Sequence, residues 1–580
     1  MNVRVDHSSV SKQMLSPQAQ RNDRPLRQMW ASSTAGTSPI STVSMIADWA
    51  MHLACSPDKQ VSLFEKGMRN WSSWWSFVAK GCPAATDQQA IQPQRGDRRF
   101  NHPGWQQPAY AALSQAFLLA EDFADHATSD VPGLSADHDR AMTFLARQIM
   151  DAFSPSNFLA SSPEVIERTV DEYGMNLLRG VEAFAKDVRE PAQERGAAPP
   201  KKLGQDIAAT PGKVVYRNHL IELIQYEAAS KSVHAQPVLI TPAWIMKYYI
   251  LDLSAENSLV QFLTKQGFTV FMISWRNPGA ADADLGMAEY LSSGPIAALD
   301  YIEQALGVSK VHTVGYCLGG TLLAIAAAKM ARDGDDRLAS MTLLAAQTDF
   351  SEAGELMLFI NESQVSFLED KMAAQGYLDS QQMMGAFQFL RSNDLIWSKL
   401  IRAYLLGEDP RPMNDLMQWN ADGTRMPAKM HAQYLRQLFL NNDLAAGRYK
   451  VDGHAVSLRD IRVPIFGVGT ETDHIAPWTS VFKIHNLAHS DITFVLTNGG
   501  HNAGVISEPG HRRRHYRMHT VREKDRGLSS EDWLIRAAAS EGSWWPAWTT
   551  WLAKNSTGKT APPDLPKGLC DAPGTYVLME

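Results

Sequence analysis

The sequence predicts an α/β fold in which a mostly parallel, doubly wound sheet follows a helical first third of the chain. From about residue 213 onward, short apolar runs rich in β-branched residues alternate with helical stretches, which is typical of parallel strands joined by crossover helices. Between about residues 100 and 190, apolar residues recur at helical spacing without a turn-rich β pattern. Near residue 317 a strand, a glycine-flanked cysteine and a helix follow one another, which favours a catalytic role for the α/β unit.

Length, charge and cysteine content exclude several classes of protein. The chain has 580 residues with 44% hydrophobic content, which is enough for a large core and more than one structural unit. Its formal net charge of −7 gives no basic field, so nucleic acid is not an expected partner. The four cysteines are scattered without a C-x-x-C pair, which fits a reduced, cytoplasmic setting. No stretch reaches the roughly 18 uninterrupted apolar residues of a spanning helix, so we expect no transmembrane segment.

Residues 1–95 form a divergent N-terminal region in this prediction. Up to about residue 40 the chain is rich in Ser, Gln, Asn, Pro and Arg, so we expect a loose tail. An amphipathic helix follows, because apolar residues recur at helical spacing at Phe64, Met68, Trp71, Trp75 and Val78. Such a stripe fits core packing better than a membrane or partner anchor, and the anchor stays open as the alternative. Residues 96–205 are expected to form a helical domain.

Residues 206–555 are expected to form the catalytic domain. After β-branched runs between residues 213 and 226, its strands are predicted at Pro237–Thr241, Phe268–Ser274, Val311–Val314, Met341–Leu344, Pro464–Val468 and Ile492–Leu496. Between about residues 350 and 442 the alternation stops and the chain is mostly helical, which suits a lid inserted between two core strands. Residues 556–580 are expected to form a C-terminal tail.

The segment from Val311 to Thr321 carries a candidate nucleophile. Its sequence VHTVGYCLGGT gives a strand, then Gly-x-Cys-x-Gly, then a helix, as in the nucleophile elbow of the α/β-hydrolase fold with cysteine in place of serine. Gly315 and Gly319 leave room for the sharp turn and for the close approach of helix and sheet. The helix N-terminus favours a Cys317 thiolate, and the Leu318 backbone N–H is expected to be one oxyanion donor.

Chain order places an acid and a base after the last two predicted strands. Asp473 follows the strand at Pro464–Val468, and His501 lies in a glycine-flanked loop after the strand at Ile492–Leu496. His501 could then take the Cys317 proton while Asp473 fixes the tautomer of the imidazole. Glu471 in place of Asp473, or His474 in place of His501, are the weaker alternatives, since His474 is adjacent to the acid that would have to orient it.

A set of ordered motifs extends from about residue 97 to residue 552. They are SPSNF at 154–158, NLLRG at 176–180, TPGKVVYRNHLIELIQY from 210, KYYILDLSAENSLV from 247, SWRNP at 274–278, GYCLGGT from 315, LRSNDLIW from 390, DHIAPW from 473 and GSWWPAW from 542. Together they resemble the class I polyhydroxyalkanoate synthase family. The resemblance implies an α/β-hydrolase core with Cys317, Asp473 and His501 as catalytic residues, and it places the LMQWN segment around Trp419 near the site.

Two positions depart from the family pattern. Residues 242–247 read PAWIMK where the family commonly has Pro-Pro-x-Ile-Asn-Lys, so Met246 replaces an amide beside Ile245, whose backbone N–H is the expected second oxyanion donor. Asn502 follows His501 where isoleucine is common. Both changes leave the triad intact and bear on substrate range and rate.

The resemblance implies polymerisation of 3-hydroxyacyl-CoA, with (R)-3-hydroxybutyryl-CoA as the expected monomer, through acyl-cysteine intermediates and with release of CoA. It also implies a growing polyester chain, association with polymer granules in the cytoplasm, and a homodimer. CoA thioester is then substrate and no cofactor is expected. Either His501 or Asp473 could contact the monomer hydroxyl most directly.

Two other functions compete with polymerisation. A cysteine-type acyl-CoA thioesterase or polyester depolymerase would share the fold, and a granule-surface protein of weak activity would use the helical N-terminal region. The sequence shows no recognisable metal motif, so no metal site is expected. The basic run His511–His515 could bind CoA phosphates, but a solvated charged face is the simpler interpretation, and we assign no site there.

Overall fold

The computed structural model describes residues 38–94, 96–189, 201–383, 385, 396–408 and 414–580. The expected loose tail up to residue 37 and most of the LRSNDLIW motif lie outside these residues.

The N-terminal part is helical, as predicted. Among the six α-helices that its described residues form, four have proline at the first helical position, where the missing N–H costs no hydrogen bond. Ser38 and Ser162 cap two of them by accepting a backbone N–H of the first turn. The helices are α1 Pro39–Ala54, α2 Pro57–Ala79, α3 Pro108–Thr128, α4 Ala136–Ala152, α5 Pro163–Asp171 and α6 Met175–Arg189.

The amphipathic helix α2 exposes the apolar stripe that the sequence singled out. Phe64 is 71% exposed and Trp71 58%, and Met68 and Trp75 are exposed as well. The opposite side of α2 packs inward, where Trp74 donates its indole N–H to the Ala112 carbonyl on α3 at 2.8 Å. The expectation of core packing is therefore wrong for these four residues, because the helix buries the neighbouring face instead, and it holds for Val78, which packs beside the buried Phe77.

The catalytic domain contains an eleven-stranded mixed sheet. Its strands are β1 Gly212–Arg217, β2 Ile221–Tyr226, β3 Val238–Thr241, β4 Val270–Trp275, β5 Val311–Tyr316, β6 Leu338–Leu344, β7 Ile465–Thr470, β8 Ile492–Thr497, β9 His515–Val521, β10 Ala538–Glu541 and β11 Cys570–Asp571. They lie in the order β10-β9-β8-β7-β6-β5-β3-β4-β2-β1-β11. The six central strands from β8 to β4 are parallel, and the strands at both edges are antiparallel.

The predicted strands of the sheet centre are all present and fully buried between helices, which confirms the α/β-hydrolase core. Its helices are α7 Leu259–Lys265, α8 Met287–Leu291, α9 Ala297–Leu306 and α10 Leu318–Asp333, followed beyond the insertion by α15 Trp478–Phe482, α16 Ile484–Leu487, α17 Ser530–Arg536 and α18 Trp545–Lys554. Helix α10 is buried along most of its length on one face of the sheet. On the other face, Trp551 of α18 packs against Phe466 of β7, with 5.2 Å between the ring centroids.

The insertion between β6 and β7 contains the helices α11 Glu362–Gln375, α12 Ser398–Leu400, α13 Asp415–Ala421 and α14 Ala428–Gln433. It joins the N-terminal helices to the catalytic domain. Asn361 donates to the Ser41 hydroxyl of α1 at 2.7 Å, and Asn176 of α6 donates to the Leu405 carbonyl at 2.8 Å. Gly180 of α6 lies so close to Tyr404 that a Cβ there would be 1.9 Å from the Tyr404 carbonyl oxygen.

The last residues of the chain, expected as a tail, fold against the catalytic sheet. Strand β11 pairs with β1, and Lys559–Thr560 pairs with Val233–His234. The buried Glu222 carboxylate accepts hydrogen bonds from the backbone N–H groups of Thr575 and Tyr576 and from the Thr575 hydroxyl. Residues 570–578 are therefore a structural part of the catalytic domain.

Candidate active site

Cys317 occupies the turn between β5 and α10 in a conformation that L-residues rarely adopt, with φ 52° and ψ −124°. Its backbone N–H donates to the Leu344 carbonyl at 2.9 Å, and its own carbonyl accepts from the Gly320 N–H at 2.9 Å. These bonds to β6 and to the first turn of α10 hold the strained residue in place, at a cost of about 1–3 kcal/mol that is characteristic of functional sites.

The glycines around Cys317 are required by close backbone contacts. A Cβ on Gly315 would lie 2.3 Å from the Gly320 Cα, and a Cβ on Gly319 would lie 2.2 Å from the Thr241 carbonyl oxygen. Both distances are far below a van der Waals contact. The steric reason for the Gly-x-Cys-x-Gly pattern is thereby confirmed.

Asp473 and His501 lie next to each other at the carboxyl ends of β7 and β8, where ligand and catalytic sites of parallel sheets are found. The His501 Nδ1–H donates to Asp473 Oδ2 at 2.7 Å, and both residues are buried. The Asp473 carboxylate also accepts the Thr470 hydroxyl and the backbone N–H groups of Ile475 and Ala476 at 2.8 to 3.1 Å. The carboxylate thus fixes the imidazole tautomer and leaves Nε2 free for the nucleophile.

The electrostatics of the site support an ion pair between the His501 imidazole and the Asp473 carboxylate. Burial alone would lower the pKa of His501, but the charges of Asp473 and Cys317, and hydrogen bonds with both, raise it well above its ordinary value. Burial would raise the pKa of Asp473, but the charge of His501 and the hydrogen bonds it accepts hold that pKa below the usual range. The site therefore favours a positively charged His501 beside the Asp473 carboxylate.

The weaker alternatives for acid and base lie in other surroundings. The Glu471 carboxylate is partly exposed and lies 3.6 Å from His515, not beside His501. His474 contributes its backbone carbonyl to the Glu355 N–H at 3.0 Å. The hydrogen-bond pattern therefore favours Asp473 and His501 over Glu471 and His474.

The two expected oxyanion donors lie on adjacent segments. Leu318 is the first residue of α10, and Ile245 lies in the loop after β3, against which Gly319 packs closely. Within the described ranges, neither backbone N–H donates to another protein group. Thr424 of the insertion fixes this loop, because its N–H donates to the Ile245 carbonyl at 3.0 Å and its hydroxyl to the Trp244 carbonyl at 2.5 Å.

Several residues around the triad could not be identified from sequence. Tyr434 of the insertion is buried in the core cluster against which Cys317 packs, and burial and the charge of Cys317 together raise its pKa. Arg514 donates to the carbonyls of Ala503 and Ile506 and so holds the loop that carries His501. The sequence signal for Arg514 was the basic run at 511–515, whose other members are exposed.

The described part of the chain contains no cluster of three or more His, Cys, Asp or Glu side chains arranged to hold a metal ion. Within the same part, no helix combines the length and the apolar character needed to cross a membrane.

The fold, the half-buried Cys317 at the turn between β5 and α10, and the buried His501 and Asp473 are those of an α/β-hydrolase-fold protein with a cysteine at the elbow position. The family described as "alpha/beta hydrolase fold" matches residues 236–506. The families described as "Poly-beta-hydroxybutyrate polymerase (PhaC) N-terminus" and "Poly-beta-hydroxybutyrate polymerase N terminal" match residues 96–263 and 17–59.

Named relatives match almost the whole chain. A poly(3-hydroxyalkanoate) polymerase subunit of Rhizobium meliloti is 40% identical over 93% of this chain and 88% of its own length. The polymerase of Methylorubrum extorquens is 38% identical over 90% and 87%, and that of Cupriavidus necator 34% over 90% and 89%. This chain belongs to the poly(3-hydroxyalkanoate) polymerase family.

Two solved structures each match between half and three fifths of the chain. A monoacylglycerol lipase of Paleococcus ferrophilus covers 57% of this chain and 99% of its own, at 16% identity and a TM-score of 0.31. An alpha/beta fold family hydrolase of Bacillus anthracis covers 51% and 93%, at 16% identity and a TM-score of 0.30.

Proposed function

We propose that this chain polymerises 3-hydroxyacyl-CoA thioesters, with (R)-3-hydroxybutyryl-CoA as the first monomer to test, into a polyester with release of CoA. The observation that carries the proposal is the hydrogen-bonded pair His501 and Asp473 beside a strained Cys317, in a member of the poly(3-hydroxyalkanoate) polymerase family. We assign Cys317, His501 and Asp473 as the catalytic residues.

Acylation begins with the Cys317 proton on His501, where the raised pKa of the imidazole holds it, and the Cys317 thiolate attacks the carbonyl carbon of the thioester. The Leu318 and Ile245 backbone N–H groups donate to the oxyanion that forms. The bond from the carbonyl carbon to the CoA sulfur then breaks, and His501 returns its proton to the departing CoA thiolate. One thioester replaces another, so the acyl group stays activated for the next step.

Chain growth uses the same residues. The 3-hydroxyl oxygen of a monomer attacks the acyl-Cys317 carbonyl, its proton passes to His501, and the bond to the Cys317 sulfur breaks. Asp473 holds His501 by its Nδ1–H and stabilises the imidazolium. We assign the insertion, residues 350–442, the role of shielding the acyl group from water, which would otherwise release a free acid.

We further propose that the protein works as a homodimer in the cytoplasm, at the surface of polyester granules. The exposed stripe of α2 supports a granule contact, because Phe64, Met68, Trp71 and Trp75 present one apolar face to solvent. The test is sedimentation of purified protein with poly(3-hydroxybutyrate) particles. We expect Trp71→Ser/Trp75→Ser to reduce the pelleted fraction severalfold, and an unchanged fraction contradicts this contact.

The catalytic proposal is tested by CoA release from (R)-3-hydroxybutyryl-CoA, with the product examined for insoluble polyester. Cys317→Ala is expected to reduce the rate by at least about a thousandfold, as for other nucleophile deletions. Cys55→Ala is the matched control, because it removes an exposed thiol at the end of α1. Full activity of Cys317→Ala would refute the assigned nucleophile, and CoA release that yields only free hydroxy acid would indicate a thioesterase.

A further inference from the structure

Asn502 joins three parts of the active site. Its Oδ1 accepts the Tyr316 hydroxyl at 2.6 Å, and its Nδ2 donates to Asn420 Oδ1 at 3.3 Å. Tyr316 precedes the nucleophile, and its ring lies 5.9 Å from the His501 ring between centroids. Asn420 lies on α13 of the insertion. One side chain therefore connects the nucleophile strand, the histidine loop and the lid.

The lid is attached very differently on the two sides of the site. On the oxyanion side, three hydrogen bonds of 2.5 to 3.0 Å join residues 414–427 to residues 244–247, through Trp419 and Thr424. On the histidine side, the bond from Asn502 to Asn420 is the one hydrogen bond between residues 414–427 and residues 498–506 that the described residues make. Residues 414–427 of the lid are thus fixed along one edge and, among the described residues, joined to the histidine loop by one hydrogen bond along the other.

The Asn502–Asn420 hydrogen bond lies at the border between solvent and the buried His501. Asn420 is exposed, whereas His501 is 7% exposed and the adjacent Tyr316 is 2% exposed. Tyr316 fixes the Asn502 side chain, because its buried hydroxyl donates a short hydrogen bond to Asn502 Oδ1. Breaking the outer bond would leave the inner residues in place and free the lid edge beside His501.

We propose that the Asn502–Asn420 bond holds the lid closed beside His501 and so determines how much of the acyl-Cys317 intermediate goes to polymer and how much to water. This inference rests on the proposed acyl-Cys317 mechanism. Asn502 and Asn420 act as positioning residues, since they contact the histidine loop and the lid and not the reacting atoms.

Two reactions compete for the intermediate. A monomer hydroxyl attacks the acyl carbon, the carbon–sulfur bond breaks, and the hydroxyl proton passes through His501 to the Cys317 sulfur. Water attacks in the same way, with the same proton transfer, and releases a free hydroxy acid. Water needs only a small gap, so loosening the lid edge favours hydrolysis before it prevents binding of the monomer.

The test uses Asn420→Ala and Asn420→Asp on full-length protein with (R)-3-hydroxybutyryl-CoA. The measured quantity is the ratio of free 3-hydroxy acid to total CoA released, together with KM and kcat for CoA release. Asn420→Ala removes the acceptor of the Asn502 amide, whereas Asn420→Asp keeps an acceptor oxygen. Gln418→Ala is the matched control, because Gln418 is on the same helix and bonds the Lys201 backbone instead.

We expect Asn420→Ala to raise the ratio of acid to CoA by about threefold to tenfold, the effect of one net hydrogen bond. Asn420→Asp is expected to restore the wild-type ratio, and Gln418→Ala to leave it unchanged. Asn502→Ile/Asn420→Ala should match Asn502→Ile alone, because both remove the same bond. An unchanged ratio in Asn420→Ala, or an equal rise in Gln418→Ala, overturns the inference. Failure of the nucleophile proposal is separate, since it appears as CoA release by Cys317→Ala.

Discussion

Two tryptophan-rich helices of this protein have opposite surroundings. At the start of α18, Trp544, Trp545 and Trp548 are almost completely buried, and each indole N–H has an acceptor at 3.0 to 3.1 Å. On α2, Trp71 and Trp75 are exposed. Two of the buried indoles, Trp544 and Trp545, donate to the carbonyls of Gly504 and Val505, in the loop that carries His501.

The difference shows that an aromatic stripe does not by itself reveal what covers it. In α18 the tryptophans combine a large apolar surface with satisfied indole N–H groups, and they hold the loop that carries His501. In α2, Trp71 and Trp75 leave an apolar face exposed to solvent. The tryptophans of α18 thus pack inside the catalytic domain, whereas Trp71 and Trp75 of α2 face solvent.

The largest expected effect is on the rate of catalysis, at Asp473 in the catalytic domain. Asp473→Asn should reduce the rate of CoA release by about 10⁴-fold, because the amide favours the wrong imidazole tautomer. Asp58→Asn, at the exposed start of α2, changes the same functional group and should leave the rate within about twofold. Steady-state kinetics of the two variants make the test, and a tenfold or smaller loss in Asp473→Asn would contradict the assigned acid.

The pH dependence of stability tests the ion pair of Asp473 and His501. Asp473 stabilises the fold above the ordinary carboxyl pKa of about 3.9, and loses this effect as the pH falls through its lowered pKa. His501 stabilises below about 6.5 and loses its effect as the pH rises through its raised pKa. The difference in unfolding free energy between wild type and Asp473→Asn should be largest between about pH 4 and 6.5. Urea titrations across pH measure it, and a flat difference contradicts the ion pair.

The second-largest expected difference is in the free energy of unfolding, between tryptophan variants of α18 and of α2. Trp545→Ala should destabilise the protein by about 3–5 kcal/mol, because it leaves a cavity and an unpaired Val505 carbonyl. Trp75→Ala should cost no more than about 0.5 kcal/mol, since its side chain is exposed. Denaturant unfolding of both variants is the measurement. Equal losses would mean that α2 is covered in the folded protein.

A smaller loss of stability than that of Trp545→Ala is expected at Glu222, whose carboxylate bonds the last residues of the chain to the catalytic domain. Glu222→Gln should destabilise by about 2 kcal/mol, because it weakens hydrogen bonds that a buried carboxylate accepts. Thermal unfolding tests this. A protein with unchanged Tm would show that residues 570–578 contribute little to the domain.

The parts of the site that the sequence predicts are those encoded by neighbouring residues. Cys317 lies in a strand, turn and helix that are contiguous in the chain, and Asp473 and His501 directly follow buried strands. The central strands were predicted for the same reason, as continuous apolar runs. Strands β9 and β10 were not predicted, because their side chains are mainly exposed or half-buried and polar and lack that apolar signal.

Contacts between distant segments could not be predicted. Asn502 bonds Tyr316 across 186 residues, and Glu222 bonds Thr575 across 353. Neither pair has a local pattern that specifies its partner. The sequence signalled Asn502 only as a departure from a family motif, and its partners become visible in the folded chain.

The central claim is that Cys317 carries the growing acyl chain. The most direct measurement is rapid acid quenching of the enzyme during turnover of (R)-3-hydroxybutyryl-CoA, followed by mass spectrometry of the peptide that contains Cys317. We expect this peptide to gain the mass of one or more 3-hydroxybutyryl units in a form that hydroxylamine removes. An unmodified Cys317 peptide during active CoA release, or acylation of another residue, would contradict the claim.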